Sequence, residues 1–254
     1  MPFRRIAAHA LIGAFASTLT LSGATIAHAD PINGTTDQPT STASKRAAST
    51  GVQGMDVSSH QGTVNWRYWR SKGKSFAYIK ATEGVSYRNP YFRSQYRGSR
   101  DVGMLRGAYH FANPRRSSGR AQADYFVRNG GGWIRDGRTL PGVLDIEYNP
   151  YGATCYGLTP AQMVSWVRSF TTRYKRLTGR DAVIYTTLGW WSRCTGNSTA
   201  FSRTNPLWVA RYSGSVGTLP GGWQFYTFWQ YTSSPLDQNR FSASYRRLVA
   251  LANG

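Results

Sequence analysis

The stretch Val143-Leu144-Asp145-Ile146-Glu147 sets two carboxyl groups one residue apart in an apolar run. Read as a strand, whose side chains alternate with a period of two, it puts Asp145 and Glu147 on one face and Leu144 and Ile146 on the other. Their Cα atoms are then about 7 Å apart. Mutual repulsion and loss of water raise one pKa, which leaves a protonated acid beside an anion near neutral pH. Such a pair suits glycosidic cleavage, where an acid protonates the leaving oxygen and an anion faces an oxocarbenium-like centre. The alternative is a strand end whose carboxylates pair with arginines, in a chain holding 31 Lys and Arg.

Other chemistries have less to work with. An N-terminal secretory signal would remove His9 and His28 and leave only His60 and His110. With Cys155 and Cys194 expected to form a disulfide, metal clusters lack ligands and nucleophilic chemistry lacks a thiolate, so no metal or other cofactor is expected. A Ser-His-Asp triad has its residue types but no nucleophile-elbow motif. Of the 11 Asp and Glu, Asp30 and Asp37 precede residue 50, which leaves nine. Asp56 falls near the end of a first candidate strand, Glu83 ends a second, and Asp237 follows the aromatic run Phe228-Trp229-Gln230-Tyr231. Strand ends of a parallel barrel converge on one rim, so these acids and the pair are expected together there, with a helix cap or salt bridge as the alternative for each single acid. Tyr109, Phe111, Tyr148, Tyr185, Trp190, Trp191, Trp223 and Trp229 lie at or just past candidate strand ends. Sugar rings present apolar faces to such side chains. Most of these belong in the core; Tyr109, Tyr185 and Trp229, with Glu83 and Asp237, are the expected substrate contacts.

The elements that would carry these residues are short apolar runs separated by helical patterns. Candidate strands are 52–57, 76–82, 105–111, 142–147, 182–186, 207–211 and 225–231. The clearest helix spans Pro160 to Thr178, with Thr159 as N-cap, Gln162 completing a capping box and Gly179 as the stop. Its buried stripe is read as Met163, Val167, Phe170, Tyr174 and Leu177. Asn89-Pro90 opens another helix, which Gly103 closes. Alternation of strand and helix predicts a parallel sheet covered by helices. Beyond Ala182 clear helices cease and strands follow one another, so an eight-fold regular barrel does not fit.

Residues 1–29 read as a secretory signal, with Arg4 and Arg5, an apolar stretch and Ala27-His28-Ala29. Residues 30–50 are rich in Thr, Ser, Ala and Pro and read as a flexible leader. Residues 51–254 suffice for one domain. The signal implies an oxidising compartment, where Cys155 and Cys194 pair; two inert buried thiols are the alternative. A net charge of +20 favours polyanions, and a secreted protein meets anionic wall polymers first. Secretion and the clustered acids argue against nucleic acid.

The stretches Gly54-Met55-Asp56-Val57-Ser58-Ser59-His60-Gln61, Phe76-Ala77-Tyr78-Ile79-Lys80-Ala81-Thr82-Glu83-Gly84, Gly107-Ala108-Tyr109-His110-Phe111, Val143 to Glu147 and Trp229-Gln230-Tyr231-Thr232 together resemble glycoside hydrolase family 25, the Chalaropsis-type lysozymes. The resemblance runs from Gln53 to the C-terminus. It implies an α/β fold, an incomplete, flattened (β/α) barrel with about five β/α units followed by additional strands. It also implies an N-acetylmuramidase that cleaves the β-1,4 bond between N-acetylmuramic acid and N-acetylglucosamine in peptidoglycan. With the signal and the charge, the expectation is a secreted monomer whose partners are bacterial peptidoglycan and anionic cell-wall polymers, without nucleic acid or stable membrane insertion. By position Glu147 matches the general acid and Asp145 its partner, with Asp56 and Asp237 lining the same groove. The Asp-x-Glu spacing resembles family 18 chitinases and points to a substrate-assisted mechanism, against direct attack by Asp145 or Asp56. A chitinase-like enzyme and a lectin-like wall binder are the rival functions. Asn89 stands where the family often has Asp, and since either can cap a helix little consequence is expected.

Overall fold

The computed structural model describes residues 51–254. The expected secretory signal (1–29) and leader (30–50) lie outside the described residues. All seven expected strands form, some with ends shifted by up to three residues. They are β1 (Val52–Val57), β2 (Phe76–Glu83), β4 (Leu105–Phe111), β5 (Val143–Asp145), β6 (Val183–Thr186), β7 (Leu207–Ala210) and β8 (Phe228–Thr232), to which the structure adds β3 (Tyr87–Arg88) and β9 (Gln238–Phe241). The sheet runs β1-β9-β8-β7-β6-β5-β4-β2-β3, and β1 also pairs with β2. That pairing closes a barrel-like ring of eight strands, from which β3 hangs at the edge. The ring of strands is thus closed, while among the described residues helices link successive strands only after β1, β2 with its β3 hairpin, β4, β5 and β6, and none separates β7, β8 and β9. Neighbours within the ring are parallel except at β9, which is antiparallel to both β8 and β1, and the edge strand β3 is antiparallel to β2.

The helices are α1 (Trp66–Ser71), α2 (Phe92–Asp101), α3 (Gly119–Phe126), α4 (Pro160–Thr178), α5 (Leu188–Thr195) and α6 (Tyr245–Asn253). Contrary to expectation, a helix follows Ala182, since α5 connects β6 to β7. Helix α4 starts as its sequence dictates. The Thr159 hydroxyl accepts the Gln162 N–H at 3.3 Å, the Gln162 Oε1 accepts the Thr159 N–H at 2.9 Å, and Gly179 takes φ 75°. Met163, Trp166, Val167, Phe170, Thr171 and Tyr174 form its buried face, whereas Leu177, read as part of the stripe, is 39% exposed.

Strand parity builds two apolar layers. Phe76, Tyr78, Val143, Val183, Trp208 and Phe228 fill the inside of the ring. Gly107 admits the Tyr78 ring, which occupies the place a Cβ would take. Leu144, Ile146, Ile184 and Val209 point outward and pack with Val167, Phe170 and Tyr174 of α4. Two residues along each inward-facing column, the chain reaches the rim.

Candidate active site

The inward column of β5 begins with Val143 in the core and continues through Asp145 to Glu147. Strand pairing ends at Asp145, but the Ile146 N–H still donates to the Tyr185 carbonyl at 3.0 Å. The backbone thus stays extended, and Glu147 remains on the face of Asp145 while Leu144 and Ile146 are buried outward. Both carboxyls line one cleft of about 280 Å³ at the strand ends, together with Asp56, Tyr109, Tyr185 and Asp237. Asp56 is the penultimate residue of β1, and Asp237 immediately precedes β9.

Two polar chains fix the walls. Gln230 of β8 donates from Nε2 to Asp56 Oδ2 at 2.9 Å, and Asn239 of β9 donates to the same oxygen at 2.6 Å. Gln230 Oε1 accepts the hydroxyls of Tyr185 at 2.9 Å and Tyr212 at 3.0 Å, while Trp208 Nε1 donates to Asn239 Oδ1 at 2.8 Å. A buried carboxyl gripped this way has one orientation. Asp145 differs, because its Oδ1 is buried without any hydrogen-bond partner. Such an atom costs free energy unless a ligand supplies a donor.

Burial dominates the electrostatics. It raises Asp56 to about 8, with the Asp237 charge adding to the rise and the two amide donors opposing it. Asp145 is pushed well above its ordinary value by burial and then by the Glu147 charge, against which Lys80 acts. Glu147 rises to about 7 through burial and the charge of Asp237. Asp237 is raised by burial. Each of the other five carboxylates, Glu83, Asp101, Asp124, Asp136 and Asp181, has a lysine or arginine within salt-bridge distance. Among the described residues the four cleft carboxylates have none. Arginine pairing, the alternative reading of these acids, holds only outside the cleft.

Two expected contacts lie elsewhere. Trp229 is 5% exposed, packs in the outer layer and donates from Nε1 to the Arg211 carbonyl at 2.8 Å. Parity explains this: Phe228 and Gln230 face inward, so Trp229 between them faces out. Glu83 lines an adjoining hollow with Asn113, Arg116 and Tyr151, where Lys80 at 2.7 Å and the Tyr151 hydroxyl hold its carboxylate. A register shift between Lys80 and Thr82 breaks the alternation of β2 just before it. Trp190, Trp191 and Trp223 are core, and Tyr148 is exposed. Lys80, Trp208, Tyr212 and Gln230 line the cleft without having been expected there. Parity with Tyr78 and Phe228 would have found Lys80 and Gln230.

His110 serves no triad. It is buried between Thr82 at 2.8 Å and Gln122 at 2.9 Å, stacked on Phe170, and burial lowers its pKa to about 4. Among the described residues no three His, Cys, Asp or Glu side chains are grouped to hold a metal ion. Cys155 and Cys194 form the expected disulfide. Asn89 does more than an aspartate would. Its Oδ1 accepts the Tyr91 N–H at 2.9 Å, while Nδ2 donates to the Lys80 carbonyl at 2.8 Å and to Gln95 Oε1 at 3.0 Å. Gln95 in turn donates to the Ser58 and Gly62 carbonyls, each at 2.8 Å, and so anchors the loop carrying His60 and Gln61 into the cleft.

Known proteins resemble this chain in sequence and in fold. The sequence model of Glycosyl hydrolases family 25 matches residues 55–239. Lysozyme M1 of Streptomyces globisporus is 53% identical over 215 residues, covering 82% of this chain and 73% of that protein. N,O-diacetylmuramidase of a Chalaropsis species is 48% identical over 210 residues, covering 80% of this chain and all of the other. The structure of a muramidase from Acremonium alcalophilum superimposes with a TM-score of 0.79 at 55% identity, covering 80% of this chain and 99% of that one.

Proposed function

The chain belongs to glycosyl hydrolases family 25 and is a glycoside hydrolase, and we propose that it is a secreted muramidase that cuts the β-1,4 bond between N-acetylmuramic acid and N-acetylglucosamine in peptidoglycan. One observation carries the assignment of the site: four of the chain's nine carboxylates beyond residue 50 line a single cleft and make no salt bridge among the described residues, in a protein of net charge +20. Unpaired buried acids are costly, and general acid catalysis is what such a cluster offers.

Glu147 is the general acid. With a pKa of about 7 it carries a proton at mildly acidic pH and delivers it to the glycosidic oxygen. The carbonyl oxygen of the substrate's 2-acetamido group attacks the anomeric carbon as that bond breaks. Asp145, whose Oδ1 lacks a partner in the protein, accepts the acetamide N–H, orients the group and stabilises it as it becomes cationic. The Glu147 carboxylate then takes a proton from the water that opens the intermediate, and configuration is retained. Asp56, protonated at that pH, forms the opposite wall of the cleft, and Asp237 keeps Glu147 protonated. Tyr109 and Tyr185 offer aromatic faces and hydroxyls to the sugars.

Digestion of purified peptidoglycan followed by identification of the new reducing end tests the function. Muramic acid there supports it; N-acetylglucosamine there, or faster release from chitin than from wall, overturns it. NMR of the first-formed anomer tests the mechanism, since an initial α-product excludes retention. Glu147→Gln is expected to lower kcat by about three orders of magnitude. Lysis of whole walls is expected to weaken as salt rises beyond physiological strength, and salt-independent lysis would remove the role given to the positive surface.

A further inference from the structure

Helix α4 carries Arg168, Arg173, Lys175 and Arg176 and no acidic residue in its 19 positions. Surface helices commonly gain from acid–base pairs four residues apart, and this one forgoes them. Two of its cations are neutralised from outside, Arg173 by Asp124 at 2.7 Å and Lys175 by Asp181 at 2.8 Å. Arg168 and Arg176, joined by Arg120 from α3, are exposed and make no salt bridge among the described residues. Arg168, Thr172 and Arg176 form one i, i+4 ridge about 12 Å long. Hollows of about 450 Å³ and about 350 Å³ flank that ridge, and all three ridge residues line both. The Arg168 guanidinium lies 5.6 Å from the centre of the Phe201 ring, which sets its plane. Ser169 accepts the Arg120 N–H and keeps its own hydroxyl proton to donate. No residue of this trough lines the catalytic cleft.

From this trough we infer that the outer face of α4 is a second, non-catalytic site that binds linear phosphodiester polymers of the bacterial wall, an inference that rests on the chain being a wall hydrolase. Guanidinium groups grip phosphate oxygens in pairs, and hydroxyls from Thr172, Ser165 and Ser169 donate to those that remain. Arg168 and Arg176 are spaced to meet successive phosphates of a flexible chain. Nucleic acid would want exposed aromatic rings for its bases, and the one ring here, Phe201, is 2% exposed. A lipid surface would want several exposed apolar side chains, and α4 offers Leu177 alone. Holding the polymer keeps the cleft near its glycan and raises the effective substrate concentration.

Sedimentation of the full chain with Gram-positive walls at about 0.15 M salt reads the site. Every protein in the series carries Glu147→Gln, so the walls persist. Adding Arg120→Gln/Arg168→Gln/Arg176→Gln is expected to weaken binding to intact walls about tenfold. Binding to walls freed of phosphodiester polymer by hydrofluoric acid is expected to stay level. Adding Arg97→Gln/Arg246→Gln/Arg247→Gln instead removes the same charge from exposed positions elsewhere and is expected to cost less than about twofold. With Glu147 restored, the first triple variant is expected to cleave soluble glycan fragments with unchanged kcat and KM, which also shows that it folds. Unchanged binding to intact walls, equal losses in both triple variants, or an equal loss on stripped walls would each overturn the inference. A parallel loss on phosphatidylglycerol vesicles would overturn it too, by making the face a lipid surface. Failure of the chain with Glu147 intact to cleave peptidoglycan would instead strike the proposed function, because binding is read without cleavage.

Discussion

Glu147 stands near pKa 7 because it is buried and because Asp237 adds a like charge. Asp237→Asn takes that charge away, so the carboxylate of Glu147 becomes easier to form. The alkaline limb of kcat/KM is then expected to move from about pH 7 to lower pH, with kcat on the acid side falling less than about tenfold. A limb that stays in place would deny Asp237 its influence on the acid. The pairing of Asp145 with Glu147 was legible in sequence because period two is a property of extended backbone, and the bond from Ile146 to Tyr185 keeps the chain extended past the last ladder residue. The same rule, applied to β8, would have exchanged Trp229 for Gln230. Glu83 was not legible, since a register shift inside β2 has no signature in Lys80-Ala81-Thr82. Nor was the full part played by Asn89. Capping alone treats Asn and Asp as equivalents, whereas its two donated bonds can come only from an amide.

The loop leaving β5 must stay folded back over the barrel if Glu147 is to keep its place at the rim. Tyr156 anchors it through a hydroxyl bond to the Ala112 carbonyl at 3.1 Å, Trp190 of α5 donates to the Thr154 carbonyl at 3.1 Å, and the Cys155–Cys194 bond ties loop to helix across 39 residues. Closing a loop of that length stabilises the native state by roughly 4 kcal/mol on the chain-entropy model. Cys155→Ala/Cys194→Ala is therefore expected to lower the unfolding midpoint by about 10 °C. The two hydrogen bonds remain, so much of kcat should survive below that temperature. A midpoint within about 2 °C of the parent would show that the loop is held by its packing alone. Helix α4 was readable because cap, period and stop agree over five turns. Helix α5 has two turns, too few for its period to stand out. Strand β9 escaped for a functional reason. In Gln238-Asn239-Arg240-Phe241 the inward position at the rim is an amide that serves Asp56 and Trp208, where a pattern of burial would have an apolar side chain. The element that closes the ring thus lacks the alternation by which strands are recognised.

Across the whole domain Asp136 and the cleft carboxylates have opposite effects on how stability varies with pH. Asp136 lies outside the cleft and pairs with Arg106. Partial burial opposes its anion, yet the Arg138 and Thr139 N–H groups, the Thr139 hydroxyl and Arg106 hold its pKa below the usual value. Its contribution is present above the ordinary carboxylate range and is lost as pH falls. His110, neutral and buried with a pKa of about 4 against 6.5, acts in the same sense, losing its contribution as pH drops through that interval. The cleft set works the other way. Between 3.8 and about 8 the native chain keeps on Asp56 a proton that the unfolded chain releases, so stability is intact below about pH 4 and is lost as pH rises toward 8. Maximum stability is therefore expected near pH 4, since above it the several cleft carboxylates outweigh His110. Asp56→Asn keeps an acceptor oxygen for Gln230 and Asn239 while removing the group that the unfolded chain ionises. At pH 7.5 it is expected to stabilise the domain by about 1–3 kcal/mol, or roughly 3 °C per kcal/mol, and at pH 4 to change it little. Unfolding midpoints of the parent and Asp56→Asn measured from pH 4 to pH 8 decide the matter. If the two curves run parallel, Asp56 is ionised without cost, and the field attributed to the four-carboxylate cluster is not there.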